Sequence, residues 1–248
     1  MSLSSLTLEF ESLVTAAGRL AISTRDTMTS ELKPDGSIVT NADRLVEEFL
    51  RKELVKIVPG ATFWGEEYGF EEPSEEGFWL IDPIDGTSNY RYGLPLWGVT
   101  VGFMKSGVLQ MGCIELPDAG WTLTAERDKG AYLNRVPMSP IPPGDIRSEE
   151  LMGRGESTQM QKSWPGKMRH LGSFVGEAAL VAKQSMRAMV SSRAKLYDAA
   201  GGAIICRELG ADLRELDGRP WNEGEWQKVE RMRPFYIGPR DSNFPFES

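Results

Sequence analysis

The sequence predicts an α+β layered sandwich on three observations. Two apolar stripes of helical period open the chain, and β-rich runs separated by glycine turns fill its middle. A proline-rich stretch then sets these apart from a last region of helices and strands. With 248 residues, 40% of them hydrophobic, the chain can build real cores in one or two domains.

In chain order, Phe10, Leu13, Val14, Ala17, Leu20 and Ala21 recur at the helical period and define a first amphipathic helix. Lys33-Pro34-Asp35-Gly36 is a turn, and residues 37–40 form a short extended piece. Thr40 or Asn41 can cap a second helix whose apolar face is Leu45, Val46, Phe49, Leu50, Leu54 and Ile57. Asp43 falls in its first turn, where the helix dipole favours a carboxylate. Pro59-Gly60 ends that helix, and residues 61–64 read as a strand running into Gly65-Glu66-Glu67. Glu71, Glu72, Glu75 and Glu76 around Pro73-Ser74 make a solvated acidic loop. Residues 78–81 form a buried strand. Residues 96–104 and 108–115, around Lys105-Ser106-Gly107, form a hairpin that 121–125 and 131–133 extend. The expected result is an antiparallel sheet built on the strand that carries Asp82, with Trp97, Trp121 and Tyr132 packing on it. Pro137, Pro140, Pro142, Pro143 and Gly144 divide an N-terminal α+β domain, 1–140, from a smaller α/β domain, 141–248. Residues up to about Pro165 show little periodicity. Gly172-Ser173 opens a helical run over 174–182, and 187–190 reads as a buried strand. Asp198 begins a helix of small residues, and 211–216 and 235–237 are final strands.

Composition excludes several functions. A net charge of −8 argues against nucleic-acid polymers and anionic membranes as partners, because such binding rests on Lys and Arg. No apolar run approaches the roughly 20 residues of a membrane span, and the N-terminus lacks a signal-peptide pattern. Cys113 and Cys206 sit isolated in apolar surroundings, as buried free thiols of a cytoplasmic protein would. His170 is the single histidine, so a multi-histidine zinc site is excluded by counting.

The chemistry concentrates in Asp82-Pro83-Ile84-Asp85-Gly86-Thr87-Ser88-Asn89-Tyr90. Two carboxylates three residues apart close a strand, and a glycine turn follows with hydroxyls, an amide and free backbone N–H groups. Such a stretch can hold hard cations and present donors to an anion, which is what metal-assisted attack on a phosphate requires.

This stretch resembles the signature of the inositol monophosphatase family of Mg²⁺-dependent, lithium-sensitive sugar phosphatases, whose fold is a layered αβαβα sandwich. The resemblance spans roughly residues 33–218 with four motifs in family order. Val39-Thr40-Asn41-Ala42-Asp43 is similar to the family's Val-Thr-x-x-Asp, and Gly65-Glu66-Glu67 to its Gly-Glu-Glu. The run Leu196-Tyr197-Asp198-Ala199-Ala200-Gly201-Gly202-Ala203-Ile204-Ile205-Cys206 resembles its Trp-Asp-x-Ala-Ala-Gly segment, with Tyr197 in place of Trp. The resemblance implies that Glu66, Asp82 and the Ile84 carbonyl hold one Mg²⁺. Asp82, Asp85 and Asp198 would hold a second, with Asp82 bridging, and a third, weaker ion would join near Glu66. Asp43 and Thr87 would orient the attacking water together with Glu66, and Gly86 and Thr87 would receive the phosphate. Lys33 would lie near the site, while Glu67 would point outward or support its neighbour. The resemblance also implies inhibition by Li⁺ and a homodimer.

For the substrate, a small polyol or sugar phosphate ester, the resemblance places Asp85, Asp198 and residue 191 in the pocket. Residue 191 is Ser191 where inositol monophosphatases carry a glutamate, and Phe174 follows Ser173 where small residues are usual. Myo-inositol 1-phosphate is therefore one candidate beside histidinol phosphate, fructose 1,6-bisphosphate and 3′-phosphoadenosine 5′-phosphate. A metal-binding regulatory protein with a closed pocket is the non-enzyme alternative.

Overall fold

A computed structural model describes residues 3–34, 36–155, 163–192, 194–226 and 231–246. Asp35 of the predicted turn, and 156–162 of the stretch without periodicity, lie outside the described residues.

Helix α1 (Ser5–Thr24) starts at Ser4, whose hydroxyl accepts from the Thr7 N–H, and buries Phe10, Val14, Ala17 and Ala21 completely. Strands β1 (Ser30–Leu32) and β2 (Ile38–Thr40) pair as a small hairpin. Helix α2 (Asn41–Ile57) is capped by Thr40, and its buried stripe is Asp43, Val46, Glu47, Leu50 and Leu54. Leu45, expected on the apolar face, is 40% exposed because it lies beside that stripe rather than on it.

The main sheet has eight strands: β3 (Thr62–Gly65), β4 (Gly69–Phe70), β5 (Phe78–Asp85), β6 (Gly98–Lys105), β7 (Val108–Leu116), β8 (Trp121–Glu126), β9 (Gly130–Leu133) and β10 (Val136–Pro137). Their order is β10-β9-β8-β7-β6-β5-β3-β4. From β5 to β10 the sheet is antiparallel as expected, but β3 runs parallel to β5. The sheet is therefore mixed. The segment between β3 and β5, which includes β4, carries the chain back to the starting end of the sheet, as a parallel pairing requires. Helix α3 (Thr87–Tyr92) follows β5 directly.

A second sheet of five strands contains β11 (Leu151–Arg154), β12 (Lys167–Arg169), β13 (Ala188–Ser191), β14 (Asp212–Glu215) and β15 (Phe235–Gly238), in the order β12-β11-β13-β15-β14. Helices α4 (Phe174–Ala182) and α5 (Leu196–Glu208) lie between the sheets. The largest core cluster joins them to Leu80 and Ile114 on one side and to Phe235 and Ile237 on the other. A second cluster fills the space between α1, α2 and the outer face of the main sheet around Trp79 and Trp97. The layers thus run helices, sheet, helices, sheet. The outer face of the second sheet is closed, among the described residues, by Ile146, Trp164 and Phe244 from connecting segments.

The small residues of α5 set its depth. A Cβ on Gly112 of β7 would stand 2.5 Å from Ile204 Cγ2 and 2.9 Å from Gly201 Cα, and one on Gly102 of β6 only 2.5 Å from Ala200 Cβ. Helix and sheet therefore approach at backbone distance, closer than ordinary side chains allow. Since α5 carries Asp198, this contact also fixes the height of one site carboxylate. Gly112→Ala is expected to destabilise the protein by about 1–3 kcal/mol, as overpacking does. A lowered denaturation midpoint with unchanged slope is the readout.

Candidate active site

The site begins with the geometry of β5. In a regular strand, residues three apart point to opposite faces. Pro83 supplies no N–H, and the pairing with β6 slips there: Asp82 faces Thr100 and Asp85 faces Gly98, so three steps on β5 match two on β6. This bulge turns both carboxylates toward one cavity. Gly86 follows in the left-handed region (φ 77°, ψ 42°) and starts α3. A Cβ there would approach Ser173 Cβ to 3.0 Å and the Gly172 oxygen to 3.1 Å, so glycine is required on both counts.

The cavity has a volume of ≈470 Å³ and is lined by elements of both sheets. Glu66, Asp82, Ile84, Asp85, Gly86, Thr87, Ser191 and Asp198 all border it, so the predicted site residues are brought together, with Asp43 just behind Thr87. Asp82 Oδ1 accepts from the Ile84 N–H at 3.1 Å. Asp85 Oδ2 accepts from the Ser173 hydroxyl and, at 3.0 Å, from the Val175 N–H at the start of α4. Asp198 Oδ2 accepts from the Lys195 N–H at 2.7 Å and so closes the first turn of α5.

Asp43 combines two roles that the sequence presented as alternatives. Its Oδ2 accepts from the Thr40 N–H at 2.8 Å and the Thr40 hydroxyl at 2.6 Å, completing the helix cap. Its Oδ1 faces the Thr87 hydroxyl at 3.4 Å, and that hydroxyl also donates to the Ile84 carbonyl at 3.0 Å.

Lys33 does reach the site. Its Nζ lies 2.9 Å from Glu66 Oε1 and 2.5 Å from Glu67 Oε1. Glu67 does not point outward: its side chain is 6% exposed and shares this lysine. Burial opposes the Lys33 charge, but the two carboxylates outweigh it and hold its pKa above the ordinary range.

Three groups escaped the sequence reading. Glu47 is fully buried; it accepts from the Glu67 N–H at 2.7 Å, the Tyr68 N–H at 3.2 Å and Arg51 Nε at 2.9 Å. It thereby folds the loop that presents Glu66, and a Cβ on Gly65 would collide with it at 1.8 Å. Its signal was a carboxylate lying within the apolar stripe of α2. Ser173 reads as a simple helix cap, and its bond to Asp85 across the layers has no local signature. Glu177 also borders the cavity; its Oε1 accepts from the Leu171 N–H at 3.1 Å, and burial pushes its pKa up to about 8. His170 is exposed and bonds the Arg154 carbonyl at 2.9 Å, a surface role as expected. Cys113 and Cys206 are free and buried, also as expected.

The electrostatics follow from the crowding. Burial raises Asp43 to about 7 and Asp85 to about 6, in the second case against the Ser173 and α4 hydrogen bonds. Burial likewise lifts Asp82 and Asp198 well above the usual carboxylate range, and the neighbouring Glu66 and Asp85 charges add to it. Among the described residues, no three acidic, histidine or cysteine side chains are already drawn into a closed ligand cage. The carboxylates stand apart on their own donors, as like charges do. They are still near enough to raise one another, and hard oxygen donors in negative excess are the set that fits a divalent cation such as Mg²⁺. The cavity remains open beside Phe174 and Ser191, so the closed pocket of the non-enzyme alternative is not what these residues form.

A model of the inositol monophosphatase family matches residues 3–236. A fructose-1,6-bisphosphatase/inositol-1-monophosphatase of Thermotoga maritima is 30% identical over 195 residues, covering 75% of this chain and 74% of that protein. A histidinol-phosphatase of Mycobacterium tuberculosis is 30% identical over 203 residues, covering 76% and 78%. Among solved structures, a Thermotoga maritima IMPase superposes with a TM-score of 0.82 at 26% identity, over 93% of this chain and 91% of that one. An IMPase/NADP phosphatase complexed with Mg²⁺ and phosphate shares the fold at a TM-score of 0.79 and 18% identity, over 96% and 93%.

With native pKa values above the 3.8 of a free Asp carboxyl, the folded protein binds more protons than the unfolded chain between about pH 4 and about pH 7. The metal-free protein is therefore expected to lose stability as pH rises through that window. Mg²⁺ should restore most at the upper end. Melting temperatures at pH 5 and pH 7.5, with chelator and with Mg²⁺, provide the check.

Proposed function

The chain belongs to the inositol monophosphatase family, and from that premise we propose a Mg²⁺-dependent phosphomonoesterase that hydrolyses a small polyol or sugar phosphate by attack of an activated water. The observation that carries this reading is the meeting of Glu66, Asp82, Asp85 and Asp198 at one cavity, beside Thr87 and Asp43. Glu66, Asp82 and the Ile84 carbonyl would hold one Mg²⁺, and Asp82, Asp85 and Asp198 a second, with room for a third near Glu66. When bound, such cations supply charge that activates water, polarises the phosphoryl group and stabilises the leaving alkoxide.

The chain's own groups do the remaining work. The first N–H groups of α3, at Gly86 and Thr87, have no acceptor within the helix and are available to phosphate oxygens at the cavity wall. Thr87, by donating to Asp43 Oδ1, would turn a lone pair toward the water and accept its hydrogen bond. Asp43, raised to about 7, can share that proton near neutral pH. Asp85 and Asp198 would also meet the substrate hydroxyls, with Ser191 at the side. Lys33 keeps Glu66 oriented while leaving one carboxylate oxygen unclaimed by it. A division near residue 140, a homodimer and a cytoplasmic location accompany this reading. The cavity's use of both sheets supports the first, and the buried thiols support the last.

Asp85→Asn should lower kcat/KM by roughly 10²–10³-fold, the scale of losing a preorganised charge, with an unchanged circular dichroism spectrum. Turnover near that of the unmodified protein would sink the assignment. Phosphate release from inositol 1-phosphate or fructose 1,6-bisphosphate should require Mg²⁺ and be suppressed by added Li⁺.

A further inference from the structure

We propose that the cavity receives a phosphate ester carrying a second anionic group, bound by Lys195 and Arg231. The inference rests on the phosphatase reading for which group is hydrolysed, but its own evidence is the basic part of the cavity lining. Ser191 there is small and uncharged, and it is 4% exposed. Ala194, Lys195 and Arg231 line the same cavity. The Met232 N–H donates to the Ala194 carbonyl at 3.1 Å, and this pins Arg231 beside Lys195 although 36 positions separate them in sequence.

Among the described residues neither cation forms an ion pair within 4.0 Å, although the Lys195 charge acts on Asp198. Arg207, Arg214, Arg219 and Arg233, in contrast, are each paired with an acidic side chain. Lys195 Nζ stands 5.3 Å from the Tyr197 ring, a weak restraint that leaves its donors available. In a chain of net charge −8, two unpaired cations bordering one cavity form a polarised surface. Carboxylates with their cations would take the scissile phosphate, while an ammonium and a guanidinium would face whatever lies beyond it. A neutral polyol gives those two groups nothing that water does not. A phosphate or carboxylate gives them charge-assisted hydrogen bonds, bidentate ones for the guanidinium. Glu177 does not cancel this field near neutral pH, since its buried carboxyl is largely protonated there.

A rival role exists for Lys195, as a counter-ion that lowers the Asp198 pKa. Arg231 has no such role, which makes it the deciding residue. Binding of inositol 1-phosphate and of fructose 1,6-bisphosphate to the full chain would be measured by calorimetry with Ca²⁺, and phosphate release with Mg²⁺. The bisphosphate should bind roughly 10–100-fold more tightly, the worth of one charged hydrogen-bonded contact. Arg231→Glu should bring the ratio of affinities to one or below, and Lys195→Met should lower it. Equal affinities in the unmodified chain, no binding of either compound, or a ratio that survives Arg231→Glu would overturn the inference. An equal loss for both compounds in Lys195→Met would return Lys195 to Asp198 and overturn its part. Tight, Arg231-dependent binding without phosphate release would instead strike the phosphatase reading and leave the anion site standing.

Discussion

Several carboxylates are gathered at the end of one buried strand, and the rest of the structure is arranged around keeping them there. Asp82 and Asp85 on β5, Asp198 on α5 and Glu66 after β3 would separate if left to their mutual repulsion. Each is held by a donor from a different element: the Ile84 N–H, the start of α4, the start of α5, and Lys33 from the small hairpin. The protein contributes rigidity and negative charge, and a divalent cation supplies the positive charge those donors only partly provide. In its absence, burial first and the neighbouring carboxylates second hold the pKa values of Asp82, Asp85 and Asp198 above the ordinary range.

The supports extend well behind the cavity. Glu47, buried on α2, clamps the loop that carries Glu66, and Gly65 leaves room for its carboxylate. The glycines of β6, β7 and α5 bring helix and sheet to backbone distance, so Asp198 sits at a height set by steric contact rather than by its own hydrogen bonds. Asn89 of α3 donates to the Leu96 and Leu171 carbonyls and ties the turn after β5 to the loop before α4. Ser191, Ala194, Lys195 and Arg231 give another part of the cavity lining small or basic side chains in place of acidic ones. A site can change this part of its lining without disturbing the carboxylates, because the two parts hang on different elements.

Much of this was legible in the sequence. The helical stripes of α1 and α2, the Ser173 cap of α4 and the hairpin of β6 and β7 fall where periodicity and turn residues place them. These features are set by local rules that a short window contains. The parallel pairing of β3 with β5 and the exposure of Leu45 were not legible. Strand direction depends on where the chain returns, and a side chain at the border of an apolar stripe is decided by what packs opposite.

The sequence by itself determined the chemistry at hand: which carboxylates, glycines and hydroxyls stand in the motifs, and that a lone histidine and a negative net charge leave hard-metal phosphate chemistry as the coherent use for them. Those are properties of residue identity and short spacing. Only the tertiary structure decided that Asp82 and Asp85 share a face, since that needs the register slip against β6. It alone joined Ser173 to Asp85, Lys33 to Glu66, and Arg231 to the wall that carries Lys195. Each of those pairs is distant along the chain, and contacts of that kind come into being only when the layers close.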